Sequence, residues 1–261
     1  MDHPKYYQKA LSSRASFVII DEVPEELNGK TLLVHKRPFQ AFNTIINHYF
    51  PFRQLNHAIH ESLTIGENCI VQPGVVIGEN VEIGHHCIIH PNVTIYGNVK
   101  IGNNVIIHAN TVIGSDAFYY NRKDTYHKFN SCGDVVIEDK VEIGASCTID
   151  RGVTGPTIIG EGSKLDNQVH VGHDVRIGSN CLIAAQTGIA GICTIKDRVT
   201  IWGQVGISSN ITIESDVVIL AQSGVSKNLK SGKTYFGSPA EEARKKFKEL
   251  AKIKQLTSGG G

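Results

Sequence analysis

In the stretch Ile77-Gly78-Glu79-Asn80-Val81-Glu82-Ile83-Gly84-His85-His86-Cys87-Ile88-Ile89, an aliphatic side chain returns at every sixth position. Followed outward, the same interval runs from Ile59 through Ile65, Val71, Ile77, Ile83, Ile89, Ile95, Ile101 and Ile107 to Ile113. It resumes at Ile137, Ile143 and Ile149, then passes from Ile159 through Leu165, Val171, Ile177, Ile183, Ile189, Ile195, Ile201, Ile207, Ile213 and Ile219 to Val225. An α-helix, turning every ~3.6 residues, would scatter these side chains around its circumference, and a sheet repeats every second residue. Hexapeptide periodicity marks a parallel β-helix. Each six-residue unit supplies one short strand and one corner, and three units close an eighteen-residue coil around a triangular prism. The inward aliphatics of successive coils stack. About eight coils at roughly 4.8 Å per strand predict a prism near ~40 Å long. Glycine often follows the aliphatic, as at Gly66, Gly78, Gly84, Gly102, Gly114, Gly144 and Gly178. It is read as the corner residue that tolerates unusual φ.

The 261 residues fit one solenoid with small flanking pieces. Residues 1–57 read as a partial α/β region, with strands at Ser16–Ile20 and Thr31–His35 and an amphipathic helix through Phe39, Phe42, Ile45, Ile46 and Tyr49. So short a piece buries too little surface to stand alone and is expected to lean on the prism. The β-helix occupies 58–228, with an excursion loop at 114–136 that carries Phe118, Tyr119, Tyr120, Tyr126 and Phe129. Residues 229–261 hold a helix from Glu241 to Gln255 and a tail, Thr257–Gly261, expected to be disordered. Lys plus Arg 26 against Asp plus Glu 25 argues against a nucleic-acid binder driven by bulk charge. Six cysteines lie singly, which suits a reduced, cytoplasmic protein. No run of about eighteen apolar residues predicts a transmembrane segment.

Eighteen-residue arithmetic sorts side chains into columns. His173, Gly191, Ser209 and Lys227 form one, each two residues after a core aliphatic. An imidazole one coil from an unshielded glycine N–H can accept a proton from a nucleophile while the amide stabilises an oxyanion. His170, Gly188, Gly206 and Gly224 form a second column, either a groove for a long thin ligand or ordinary corner glycines.

The motifs Gly114-Ser115-Asp116-Ala117-Phe118-Tyr119-Tyr120, Thr148-Ile149-Asp150-Arg151-Gly152, Asp166-Asn167-Gln168, Val171-Gly172-His173-Asp174-Val175 and Gly188-Ile189-Ala190-Gly191 occur in that order. In this series the chain resembles the LpxD family, the UDP-3-O-(3-hydroxyacyl)glucosamine N-acyltransferases of lipid A synthesis, from Pro4-Lys5-Tyr6 to Gly237-Ser238-Pro239-Ala240. The resemblance implies a left-handed parallel β-helix working as a homotrimer, without a cofactor. It implies transfer of a 3-hydroxyacyl group from acyl carrier protein to the 2-amine of a UDP-sugar. By the same resemblance His173 is the general base and the Gly191 N–H faces the thioester oxygen. Asp166 and Asn167 either orient His173, bind the sugar, or satisfy a polar corner. His170, Tyr6, Phe118, Asn210 and Gly224 fall at substrate-contacting positions, with the glycine column a candidate path for the acyl chain. Lys227, Lys230, Arg244, Lys245 and Lys248 offer a landing surface for an acidic carrier, or a merely solvated face.

Departures accompany the match. The chain begins where the second half of the family's uridine-binding domain would fall, without the upstream aromatic that stacks on uracil and with His3 in place of an Asn, so uracil recognition is expected to be weakened, lost or rebuilt. Asn210 stands where many members carry a histidine, Ala117-Phe118-Tyr119-Tyr120 replaces Gly-Phe-Gly-Tyr, and Trp202 occupies a common glycine position. These differences keep open an N-acyltransferase for another nucleotide-linked amino sugar. His85, His90 and His108 resemble the zinc-ligand spacing of γ-class carbonic anhydrases, and a non-catalytic β-helix is a third reading.

Overall fold

The computed structural model describes the chain through Ser258 except Asp2, Glu26 and Lys123; Gly259, Gly260 and Gly261 lie outside the described residues. It divides into two compact units, Met1–Gln54 with Tyr119–Asn130, and Leu55–Phe118 with Ser131–Gly261.

The second unit is a parallel β-helix. Its three faces are sheets of eight, ten and eight strands, opening with Thr64–Ile65, Ile70–Val71 and Val76–Ile77 respectively. Register follows the eighteen-residue interval through much of the stack, with His170 opposite Gly188, Arg176 opposite Thr194 and Leu182 opposite Thr200. Across the excursion it lengthens, so Ile101 faces Ile137. Extra residues between Ile149 and Ile159 place Ile137 opposite Ile159 and Ile149 opposite Val171. The every-sixth aliphatics fill the interior from Ile77 to Val225, whereas Ile59 and Ile65 at the first coil are exposed.

A second inward column stands two residues before the aliphatics: Val81, Cys87, Val93, Val99, Cys147, Val175, Cys181 and Cys193 are all buried there. The thiols in this column turn back to backbone carbonyls. Cys87 Sγ reaches Gly102 O, and Cys147, Cys181 and Cys193 reach Asp166 O, Lys196 O and Ser208 O, each at 3.1 Å. Burial pushes all four thiols up from the ordinary cysteine value.

The glycines that follow the aliphatics do not serve the purpose expected of them. The left-handed corner residue comes two positions later, at Asn68, Asn80, His86, Asn104, Asn180 and Gln222 among others. Gly144 and Gly178 are instead sites of close approach: an added Cβ would sit 2.5 Å from Asp166 C at the first and 2.4 Å from Asp197 Oδ1 at the second. Gly114, at φ +88, is the member of that set that fits the original reading.

In the other unit Phe17–Ile20 pairs in parallel with Thr31–Val34, and the helix spans Pro38–Tyr49. A short helical segment, Pro4–Leu11, was not foreseen. The middle of the excursion is an antiparallel hairpin, Tyr120–Arg122 with Tyr126–Lys128, that belongs to this unit. Phe129 anchors it on the helix, its ring centroid 4.9 Å from Phe39 and 4.4 Å from Phe42. Asn43 donates to Lys128 O at 2.8 Å and accepts from Asn130 N at 3.0 Å.

At the C-terminal end Thr234–Phe236 extends the ten-stranded face, and Glu241–Glu242 pairs back on it in antiparallel register. The final helix is therefore Ala243–Ser258 rather than Glu241–Gln255, and it takes in Thr257 and Ser258, read from sequence as tail. Among the described residues no helix is long and apolar enough to cross a membrane.

Candidate active site

Thr148–Asp150, His170–Val171, Gly188–Ile189, Gly206–Ile207 and Gly224–Val225 are successive strands of the third face. The corner that follows carries His173 on one coil and Gly191 on the next. His173 is only 7% exposed. Its Nδ1 lies 2.9 Å from Asp174 Oδ2, which also accepts from Val153 N at 2.9 Å. An ionised carboxylate needs a donor, so the pairing places the imidazole proton on Nδ1 and the lone pair on Nε2. Burial, the largest single influence, pushes the Asp174 carboxyl up. The His173 bond, the Val153 amide and the imidazole charge together outweigh it and hold the group below its ordinary value.

The ring lies directly over Gly191. A Cβ built on Gly191 would fall 2.4 Å from His173 Nε2, so any larger residue would displace the imidazole. Ala145 N and Ser179 N, at the equivalent corner position, donate to Asn167 Oδ1 and Asp197 Oδ1. The Gly191 N–H has no such acceptor among the described residues. A basic imidazole nitrogen, able to take a proton from a nucleophile, thus lies beside a glycine whose amide is unspent among the described residues and could donate to an oxyanion.

One strand earlier lies a second acid. Asp150 is buried and accepts from Ser115 Oγ at 2.7 Å, with His170 Nε2 3.9 Å from its other oxygen. Thr148 Oγ1 holds His170 Nδ1 at 2.8 Å. Burial pushes the Asp150 carboxyl up despite the Ser115 bond and the nearby His170 and His173.

The structure brings together His173, Gly191 and His170. It assigns the orienting carboxylate to Asp174, next in sequence, instead of Asp166 or Asn167. Those two stand at the end of the neighbouring face, where Asp166 Oδ1 accepts from Asn167 N at 2.7 Å and Asn167 Oδ1 caps Ala145 N. Asn210 belongs to the corner column of Asp174, its N–H donating to Gly191 O at 3.1 Å. The glycine column is in register, with open space in front of Gly188 and Gly206. At Gly224 the space ends, because a Cβ there would meet Ser238 Oγ at 2.7 Å. Trp202 stands one corner away, at the end of the second face. Phe118 is 82% exposed. Tyr6 lies in the other unit.

The basic C-terminal surface is partly tied down: Lys227 meets Glu241 at 2.7 Å, and Lys245 reaches Glu241 and Glu249 at 3.7 and 3.9 Å. Lys230, Arg244 and Lys248 share that unit. His90 and His108 stack at 4.8 Å, and His108 Nε2 meets Glu142 Oε1 at 3.0 Å, while His85 Nδ1 accepts from Glu67 N. Among the described residues no three potential metal ligands converge.

Asp174, Asp150 and Ser238 escaped the column arithmetic because it tracks positions eighteen apart. Asp174 carried a sequence signal nonetheless, a carboxylate immediately following the candidate base.

The fold and site define a hexapeptide-repeat β-helix with a carboxylate–imidazole pair packed against a glycine whose amide is unspent among the described residues. Residues 62–96, 80–115 and 156–191 match the family described as bacterial transferase hexapeptide (six repeats). The chain is similar to proteins named UDP-3-O-acylglucosamine N-acyltransferase. It is 47% identical over 221 residues to the UDP-3-O-acylglucosamine N-acyltransferase of Christiangramia forsetii, covering 73% of this chain and 64% of that protein. To the protein of the same name from Methylobacterium sp. it is 36% identical over 147 residues, 56% of this chain and 42% of that one. The chain thus spans less than two thirds of either relative's length. Among solved structures it resembles a UDP-N-acetylglucosamine acyltransferase from Bacteroides fragilis, with TM-score 0.66 and 28% identity over 73% of this chain and 74% of that one.

Proposed function

We propose that this protein is an N-acyltransferase of lipid A synthesis that moves a 3-hydroxyacyl group from acyl carrier protein to the 2-amine of UDP-3-O-acylglucosamine, acting as a cytoplasmic homotrimer. The observation that carries the reading is the His173–Asp174 pair lying directly over Gly191.

The amine attacks the thioester carbonyl and passes a proton to His173 Nε2, while Asp174 stabilises the imidazolium. The carbonyl oxygen becomes an oxyanion opposite the Gly191 N–H. Collapse breaks the carbon–sulfur bond, and the leaving thiolate takes the proton back from His173. The balance closes without a metal or a covalent enzyme intermediate. The open strip before Gly188 and Gly206, stopped by Ser238, suits an acyl chain lying along the prism. Lys230, Arg244 and Lys248, with the paired Lys227 and Lys245, suit an acidic carrier, where charge mainly speeds encounter.

The test is mass-spectrometric detection of acylated product from a panel of UDP-amino sugars and carrier-bound acyl groups. The wild-type protein should acylate UDP-3-O-acylglucosamine, and His173→Ala should lower that rate by about 10²–10⁴-fold with the oligomer intact. Preference for a different amino sugar would reassign the acceptor. Undiminished activity in His173→Ala would remove the base.

A further inference from the structure

The corner residues of the solenoid adopt left-handed backbone, and they are chemically uniform. Asparagine, glutamine, aspartate, histidine, lysine, arginine, serine or glycine occupies every such position among the described residues, with one exception, Ile192 at φ +66. Branching at Cβ makes this conformation costly, and nothing in the coil geometry demands isoleucine, since asparagine meets the same requirement at Asn180 and Asn210. Ile192 does not recover the cost by burial either, for it is 50% exposed. A strained, half-exposed apolar side chain on a polar corner column calls for a compensating purpose.

Its location supplies one. Ile192 directly follows Gly191, and its own N–H donates to His173 O at 2.8 Å. In the corner column it stands one coil beyond Asp174, the carboxylate on His173 Nδ1, and one coil before Asn210. The single apolar left-handed corner among the described residues is thus next in sequence to the amide proposed to receive the thioester oxygen.

We propose that Ile192 is a specificity residue for the acyl donor, an apolar rest for the chain carbons nearest the thioester that holds the carbonyl against the Gly191 N–H. This rests on the acyltransferase reading above. The expected contact is with hydrocarbon, so its worth grows with the number of methylenes that reach it.

The experiment compares wild type, Ile192→Val and Ile192→Asn with acetyl, octanoyl and myristoyl thioesters of phosphopantetheine, measuring turnover and, separately, thioester binding by calorimetry. Relief of strain should raise the Tm of Ile192→Asn by a few degrees. Its kcat/KM should fall about tenfold for myristoyl and less than twofold for acetyl donors, with Ile192→Val recovering most of the loss. An equal loss on all three donors, no loss at all, or a lowered Tm would overturn the proposal while leaving the acyltransferase intact. A wild-type protein that neither binds nor turns over any thioester would overturn the acyltransferase reading, and this inference with it.

Discussion

A histidine can accept a proton only if its other nitrogen is held, and Asp174 supplies that hold at 2.9 Å. Asp174→Asn keeps the shape but can present its amide to Nδ1 and favour the wrong tautomer. We expect kcat to fall by about 10²–10⁴-fold with thioester binding little changed, as steady-state and binding measurements would check. Asp150 offers a different test. Its folded-state value is raised by burial, so the native state takes up a proton more readily than the unfolded chain. The stability this contributes is fully present below the unfolded carboxyl value of about 3.9 and is lost as pH rises through the raised folded value. Asp150→Asn cannot ionise yet can still accept from Ser115. Its Tm relative to wild type should therefore improve from about pH 4 to pH 8 as the wild-type carboxyl charges, whereas parallel Tm profiles would show that Asp150 does not titrate in that range.

At the scale of one corner, the glycine after the aliphatic and the left-handed residue two positions later have separate tasks. The sequence shows both as a repeating pattern, but it cannot say which one bends the chain. Glycine's tolerance of φ suggested the first, whereas the packing of one coil on the next assigns it to close approach. Substitution separates them. Gly144→Ala puts a Cβ 2.5 Å from Asp166 C and 2.6 Å from Asn167 N, both backbone atoms that cannot swing aside. A loss of ~1–3 kcal/mol in chemical denaturation is expected. Asn180→Gly, at φ +55, keeps an allowed conformation and should change stability by less than about 1 kcal/mol. The inward cysteines were illegible for a related reason: periodicity in large aliphatics does not reveal that the position two residues earlier also faces the core.

Across the whole β-helix, the sequence announced the stack because each coil repeats the same burial problem, and it placed His173 beside Gly191 because register follows from that repeat. It could not announce that the hairpin Tyr120–Lys128 groups with the N-terminal segment, since Phe129 meets Phe39 and Phe42 only in three dimensions. A solenoid also localises the effects of damage, because each coil touches only its neighbours and stability is close to a sum of coil and interface contributions. Ile83 and Ile189 are both buried in the same continuous core. Truncating either to alanine should cost ~2–5 kcal/mol through lost burial and a residual cavity. Ile189 lies two residues before Gly191 on the strand that sets its position against His173, whereas Ile83 lies several coils away. At a temperature where both variants are fully folded, Ile189→Ala should lose about tenfold or more in kcat/KM through misplacement of the amide, and Ile83→Ala should retain wild-type turnover. Equal losses in the two variants would mean that the stack transmits strain along its length, contrary to a nearest-neighbour solenoid.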